Sequence, residues 1–269
     1  MMREMKKILK ALRADGWSEW DSLDTHQKQG IIPPPLQKPL QDDMKTIELP
    51  RLNKFQIQEE RISRIISARR SHRKFTGEAL SLDELGFLLW STQGIQKVIG
   101  NNEANLRTVP SGGGRHPFET YLIVFNVENL SVGIYRYVPL EHVLLPLSNK
   151  QEITPNHVKD ACRNQPYFRD ASVVFVWSCI PYRTYWRYSD LAGKIIAQDS
   201  GHVCQNLYLA CGAIEAGTCA IGAYYQDKMD RMLGLDGEEE FVIYLAPVGK
   251  VDVNHKLNHD EVFHRKYKT

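Results

Sequence analysis

The chain has 269 residues, 42% of them hydrophobic and 25% charged, with a formal net charge of +2. That length buries a sizeable core in one large domain or two small ones, and the near balance of charge argues against nucleic acid or an acidic membrane surface as partner. Cys162, Cys179, Cys204, Cys211 and Cys219 are odd in number and lack a Cys-x-x-Cys spacing, so they read as reduced thiols of a cytosolic protein, with no disulfide framework and no metal site. The charged N-terminus lacks the apolar stretch of a secretory signal, and no run is long and apolar enough to span a membrane.

Met5, Ile8, Leu9 and Leu12 predict a short amphipathic helix over residues 1–12. Beyond Trp17 and Trp20, residues 31–40 contain Pro33-Pro34-Pro35, which forbids helix and favours extended backbone. Residues 21–56 therefore read as an arm held against another surface, for which a partner subunit is a candidate. On this reading residues 1–56 are an N-terminal extension and residues 57–269 the main domain. A helix is expected from about Gln58, with Ile62, Ile65 and Ile66 at helical spacing. It leads into Arg69-Arg70-Ser71-His72-Arg73-Lys74-Phe75. Arginine's fixed fork of donors suits a phosphate, and a serine hydroxyl adds to it. The segment is a solvated basic turn or a phosphate grip.

Ser81-Leu82-Asp83-Glu84 is a capping box that opens a second helix, with Leu82, Leu85, Leu88 and Leu89 on its apolar side and Gly94 as its stop. A polar stretch, residues 100–107, precedes Pro110-Ser111-Gly112-Gly113-Gly114-Arg115-His116-Pro117. Residues 120–125, 132–137 and 172–178 read as strands. Residues 190–216 carry the longest helical pattern, with Gly217 placed as its C-terminal stop. Residues 226–233 predict a short helix and residues 241–248 a last strand. Helices and strands mix without regular alternation, which gives an α+β fold.

Three stretches could carry chemistry. Gly112–Gly114 is a flexible loop, or one whose backbone approaches a flat ligand and presents successive amide donors. It lacks the Gly-Lys-Ser/Thr of a phosphate-binding loop and the glycine spacing of a dinucleotide fingerprint. Residues 217–223, Gly-Thr-Cys-Ala-Ile-Gly-Ala, form a turn or a ribbon laid beside a planar ring. Arg187, Tyr188 and His202 are further candidates, although Tyr188 belongs to an aromatic cluster with Tyr182, Tyr185 and Trp186 that also suits plain core.

Taken in order, five segments resemble the FMN-dependent nitroreductase superfamily, and most of all its SagB-type dehydrogenase branch: residues 69–75, 82–94, 107–113, 201–207 and 217–222. The resemblance covers about residues 57–250. It implies a central mixed sheet flanked by helices, in an intertwined homodimer with FMN at the interface. It gives phosphate and ribityl contacts to Arg69, Arg70, Ser71 and Arg73. It gives flavin contacts to the loop Pro110, Ser111, Gly112 and Gly113, and amides near the pyrimidine edge to Asn164 and Gln165. It sets the ribbon Ala220, Ile221 and Gly222 near the flavin N5, and Lys256 or Arg265 at the phosphate. Azoline-oxidising members carry a Lys-Tyr pair where this chain has Arg187-Tyr188, and a permanently protonated arginine is a poor base. The expected function is NAD(P)H-driven reduction of a nitroaromatic or quinone-like acceptor, with Arg187 and Tyr188 as catalytic candidates and no metal. The rivals are a SagB-type azoline peptide dehydrogenase and a non-catalytic flavin-binding protein.

Overall fold

The computed structural model describes residues 12–41, 43–51, 55, 57, 61–100, 104–147 and 153–252. The strands are β1 (Ile47–Glu48), β2 (Ile95–Ile99), β3 (Ala104–Arg107), β4 (Phe118–Val124), β5 (Gly133–Val138), β6 (Val143–Leu147), β7 (Val173–Cys179), β8 (Ala216–Thr218) and β9 (Phe241–Lys250). The helices are α1 (Ile62–Ala68), α2 (Leu82–Gln93), α3 (Pro155–Ala161), α4 (Tyr182–Tyr188), α5 (Ala192–Ala213) and α6 (Gln226–Leu233). The main sheet has the order β1-β6-β5-β4-β7-β9-β8, and β2 with β3 forms a separate hairpin. Every ladder of the main sheet is antiparallel. Parallel pairing enters through the isolated bridges Ser71↔Thr218 and Leu80↔Val127.

Side chains alternate across a strand, so a strand with apolar residues at every position must be covered on both faces. β7 is such a strand at every position but Ser178, whose buried hydroxyl donates to Glu240 Oε1 at 2.6 Å. Val173, Phe175, Trp177 and Cys179 pack with Leu85, Leu88 and Leu89 of α2 and Ile195, Val203 and Leu207 of α5. Val174 and Val176 pack with Val158 of α3 and Met229 and Leu233 of α6. Each such side chain contributes about 1.5–3 kcal/mol by burial. The result is the expected α+β sheet flanked by helices. No helix among the described residues is long and apolar enough to cross a membrane.

The capping box forms as read: Glu84 N donates to Ser81 Oγ at 3.1 Å, and Ser81 N donates to Glu84 Oε2 at 2.9 Å. The same Glu84 pairs with Lys250 at the end of β9. Two expectations need correction. The long helix stops at Ala213, Glu215 takes a φ of 54°, and Ala216–Thr218 leave as a strand, so Gly217 is a sheet residue instead of a helix stop. The arm, for its part, lies on its own chain. Lys38 N donates to Glu119 Oε1 at 2.8 Å, Arg107 donates to Leu36 O at 2.9 Å, and Arg136 donates to the carbonyls of Lys38 and Pro39. Buried arginines of the sheet thus satisfy the carbonyls of a proline-rich backbone that has no sheet partner of its own. The expected helix at residues 1–12 falls almost entirely outside the described residues. The helix expected from Gln58 is described from Ile62.

Candidate functional site

The predicted residues gather in two clusters. The first lies at the β8 edge of the sheet. His72 N donates to Thr218 O at 2.9 Å, beside the parallel Ser71↔Thr218 bridge. A Cβ on Gly217 would lie 2.7 Å from His72 Cβ, so this approach requires glycine. Arg69, Arg70 and Arg73 leave this edge exposed. The Arg69 guanidinium lies over the Tyr208 ring and that of Arg73 over Tyr167, at 5.5 and 5.6 Å. Among the described residues, no carboxylate pairs with any of the three. Burial first, and then the charges of Arg70 and Arg69, hold the His72 imidazole below its ordinary pKa.

Tyr208 joins this basic segment to the ribbon. Its Oη accepts from Ala220 N at 2.8 Å and shares a hydrogen bond with Ser71 Oγ at 3.0 Å. Ile221 N donates to Leu245 O at 2.8 Å. Two of the three ribbon amides are therefore engaged, and Gly222 N is exposed without a partner among the described residues. Gln165 Nε2 donates to the carbonyls of Cys162 and Ala223, which ties its turn to the ribbon. Asn164 sits exposed on that turn at a φ of 59°, with its backbone N donating to Lys159 O at 2.9 Å.

The second cluster forms around the glycine loop, with Pro110 exposed at its start. Ser111 Oγ donates to Asp199 Oδ2 at 2.6 Å and Gly112 N donates to the same atom at 3.2 Å. His116 N donates back to Ser111 Oγ at 2.9 Å. Burial raises the Asp199 carboxyl pKa, and the bonds from Ser111 and Gly112 oppose that rise. The expectation of successive free amide donors fails here, because Gly112 N is taken by Asp199 and Gly114 N by Ser111 O. A tight turn satisfies its own donors. Gly113 has a φ of 61°, and a Cβ on it would lie 2.5 Å from Arg187 Cδ and 2.7 Å from Tyr188 Oη. The loop and the Arg187-Tyr188 pair, far apart in sequence, are thus in contact. Arg187 Nε is buried without a hydrogen-bond partner among the described residues.

Sequence reasoning missed Asp199 and Tyr208, which anchor one cluster each. Asp199 carries a readable signal: a carboxylate midway between Ile195 and Val203 on the apolar stripe of a helix. Nine residues of α5 separate Asp199 from Tyr208, about 14 Å along the axis. His202 stays at the surface, with Nδ1 3.8 Å from Asp199 Oδ1. The cysteines are free and buried, and burial pushes the thiols of Cys162, Cys179 and Cys204 up to about 12. Lys256 and Arg265 lie outside the described residues.

The sequence model of the Nitroreductase family matches residues 66–250, a span that includes both clusters. The chain belongs to the nitroreductase family. A nitroreductase-like protein of Methanocaldococcus jannaschii is 28% identical over 208 residues, covering 77% of this chain and 98% of that protein. A nitroreductase-like structure from Ralstonia eutropha superposes with a TM-score of 0.62 at 22% identity, over 82% of this chain and 94% of the other. A second, from Anabaena variabilis, gives 0.60 at 26% identity over 71% of this chain, which spans only 38% of that one. A chain of the E. coli microcin synthetase McbBCD complex, determined with truncated pro-MccB17 bound, gives 0.58 at 19% identity over 78% of this chain and 79% of that one. This nitroreductase-family chain is an oxidoreductase with the family fold.

Proposed function

We propose that the chain is an FMN-dependent oxidoreductase that uses NAD(P)H to reduce a nitroaromatic or quinone-like acceptor, and that it works as a homodimer. The observation that carries this reading is the set of exposed cations Arg69, Arg70 and Arg73, which pair with no carboxylate among the described residues and flank the Ser71 hydroxyl in sequence. Adjacent cations repel, and a dianionic phosphate relieves that repulsion with charge-assisted hydrogen bonds. When bound, FMN would supply the two-electron redox chemistry between reduced nicotinamide and the acceptor. For a quinone the balance is quinone + NAD(P)H + H⁺ → hydroquinone + NAD(P)⁺.

The chain's own groups then divide the work. Arg69, Arg70, Ser71 and Arg73 hold the phosphate and ribityl end. Tyr208 fixes Ser71 against Ala220, which sets the register of the ribbon. Gly222 N is the open donor for negative charge that develops on the ring. Asn164 serves the ring's polar edge, while Gln165, whose Nε2 is committed to the carbonyls of Cys162 and Ala223, has only its Oε1 left for that role. Asp199 holds Pro110 to Gly113 in shape. The distance along α5 between the clusters supports a site in which this loop faces a flavin held by a second copy. Ile62 and Ile66 of α1 and Leu106 of β3, all exposed in one chain, are surfaces such a dimer would cover. Tyr188 Oη is the proton donor to an acceptor oxygen.

The test begins with the visible spectrum of the purified protein and the mass of the compound that heat releases, expected to be FMN. Arg69→Ala or Arg73→Ala should weaken FMN about 30-fold, ~2 kcal/mol, and riboflavin much less. Equal losses would overturn the phosphate grip. A flavin-loaded monomer in sedimentation at micromolar concentration would overturn the dimer, and failure to oxidise NAD(P)H with any acceptor would leave a flavin-binding protein.

A second reading, azoline oxidation in a peptide, draws support from the fold likeness to the microcin synthetase chain. Arg187 is unsuited to the base role of that reaction. Incubating the wild type with a thiazoline peptide should therefore show little loss of two hydrogens by mass. Efficient conversion would promote this reading over the first.

A further inference from the structure

The family match begins at residue 66, yet residues far upstream pack on the Arg187-Tyr188 pair. The 3-10 turn Asp15–Glu19 brings Trp17 to 5.9 Å and the adjacent Trp20 to 5.8 Å from the Tyr188 ring, with the two indoles 5.2 Å apart. This placement is fixed at several points. Gln27 N donates to Trp186 O at 2.9 Å, Trp186 Nε1 donates to Ile31 O at 2.7 Å, and Tyr182 Oη meets His26 Nδ1 at 3.0 Å. Lys28 Nζ caps the carbonyls of Trp20, Asp21 and Leu23. The segment is therefore clamped to α4 along its length. Trp17 nevertheless stays 42% exposed, leaving aromatic surface open beside Tyr188.

Arg187 supplies the second half of the argument. Its Nε is buried and makes no hydrogen bond among the described residues. Its guanidinium rests 5.6 Å from the Tyr188 ring, and among the described residues no carboxylate pairs with it. Asp199, the buried carboxylate of the loop cluster, is engaged by Ser111 and Gly112, and Glu119 pairs with Arg183. After burial, the charges of Arg187 and Arg183 are what depress the Arg115 pKa. A half-buried guanidinium without an anion is costly, and a ligand carboxylate removes that cost. Indole and phenol faces favour a flat ring over an aliphatic chain.

We propose that the N-terminal segment completes an acceptor subsite for anionic aromatic compounds, with the ligand's carboxylate on Arg187 and its ring against Trp17, Trp20 and Tyr188. The proposal rests on the reductase reading for its biological sense, but binding at the subsite is measurable without turnover. Benzoate and neutral benzamide, titrated calorimetrically into the protein as purified, form a matched pair of probes. Wild type should bind benzoate at least 10-fold more tightly than benzamide. Arg187→Gln should abolish that preference and Arg187→Lys should keep part of it. Trp17→Leu should weaken both ligands about 5-fold and leave their ratio unchanged. Equal affinity of the wild type for the two probes would overturn the proposal, as would a preference that survives in Arg187→Gln. If Arg187→Gln does not fold, loss of the shared weakening in Trp17→Leu overturns it independently. Turnover separates the two ideas: selective benzoate binding with no NAD(P)H oxidation keeps the subsite and removes the reductase, whereas reduction of nitrobenzene and 4-nitrobenzoate at equal kcat/KM keeps the reductase and removes the subsite.

Discussion

The two clusters are built on different principles. The basic one is assembled by backbone: a bridge at Ser71, an amide on Thr218 O and a ribbon amide on Tyr208, with cations projecting into solvent. The loop cluster is assembled by side chains, with Asp199, Arg187 and Tyr188 shaping a turn that uses up its own donors. Exposed cations on a backbone-held edge are, on the proposed function, the ligand's contacts, whereas a turn closed by buried polar groups satisfies its own donors. The first should therefore respond to ligand, and the second to pH and packing.

Acid tests this contrast hardest. His116, at the end of the loop, is buried against Asn105 O, and burial first and Arg107 next push its imidazole down to about 2. A histidine with a depressed folded pKa stabilises above its unfolded value and loses that contribution as pH falls. Stability should drop by about 1.4 kcal/mol per pH unit below about 6.5, and His116→Gln should flatten the slope in urea titrations. Asp199 has the opposite sign. Its raised folded pKa adds stability as pH falls through that value toward the ordinary 3.8, so Asp199→Asn should steepen the acid slope.

Packing comes next. Gly113→Ala combines a positive φ with crowding by Arg187 and Tyr188, and should cost about 1–3 kcal/mol in chemical denaturation. Tyr208→Phe removes the hydroxyl that serves Ser71 and Ala220 N. It should cost about 1–2 kcal/mol in denaturation and weaken FMN while leaving the loop cluster's pH response intact. The smallest effect is expected at Gly222→Ala. The nearest atom to its Cβ would be Tyr244 Cε2 at 4.0 Å, so melting should shift by no more than about 0.5 kcal/mol equivalent. A large loss there would mean that this ribbon position is constrained in ways its open surroundings do not indicate.

The sequence made visible what is local or strongly periodic. The capping box at Ser81, the largely apolar β7 and the cation run at 69–73 each announce themselves within a few residues. β3 and the turn before it read as a polar stretch over residues 100–107, because the turn is polar and Leu106 is exposed, and β2 went unread. α4 was read as an aromatic cluster because Tyr and Trp are indifferent helix formers. Gly217 was misread for a physical reason: a glycine after a helix suggests a stop, but here it admits His72 across the sheet. Glycine marks close approach as readily as chain reversal, and only the partner tells them apart. The convergence of Gly113 on Arg187 was invisible for the same reason, since neither residue carries a trace of the other.

The bridge between Ser71 and Thr218 has a consequence in time. It joins positions near opposite ends of the folded domain, and closing so long a loop is slow compared with forming α2 or a hairpin. The arginine edge is accordingly a late product of folding, absent from any chain in which β8 and β9 have not yet docked. An anion that recognises that edge finds nothing to hold in the unfolded ensemble, so it stabilises the finished protein by RT ln(1 + L/Kd), where L is its free concentration, and increasingly so as that concentration rises. Refolding with and without such an anion should give the same early rates and differ in how slowly the completed molecule reopens.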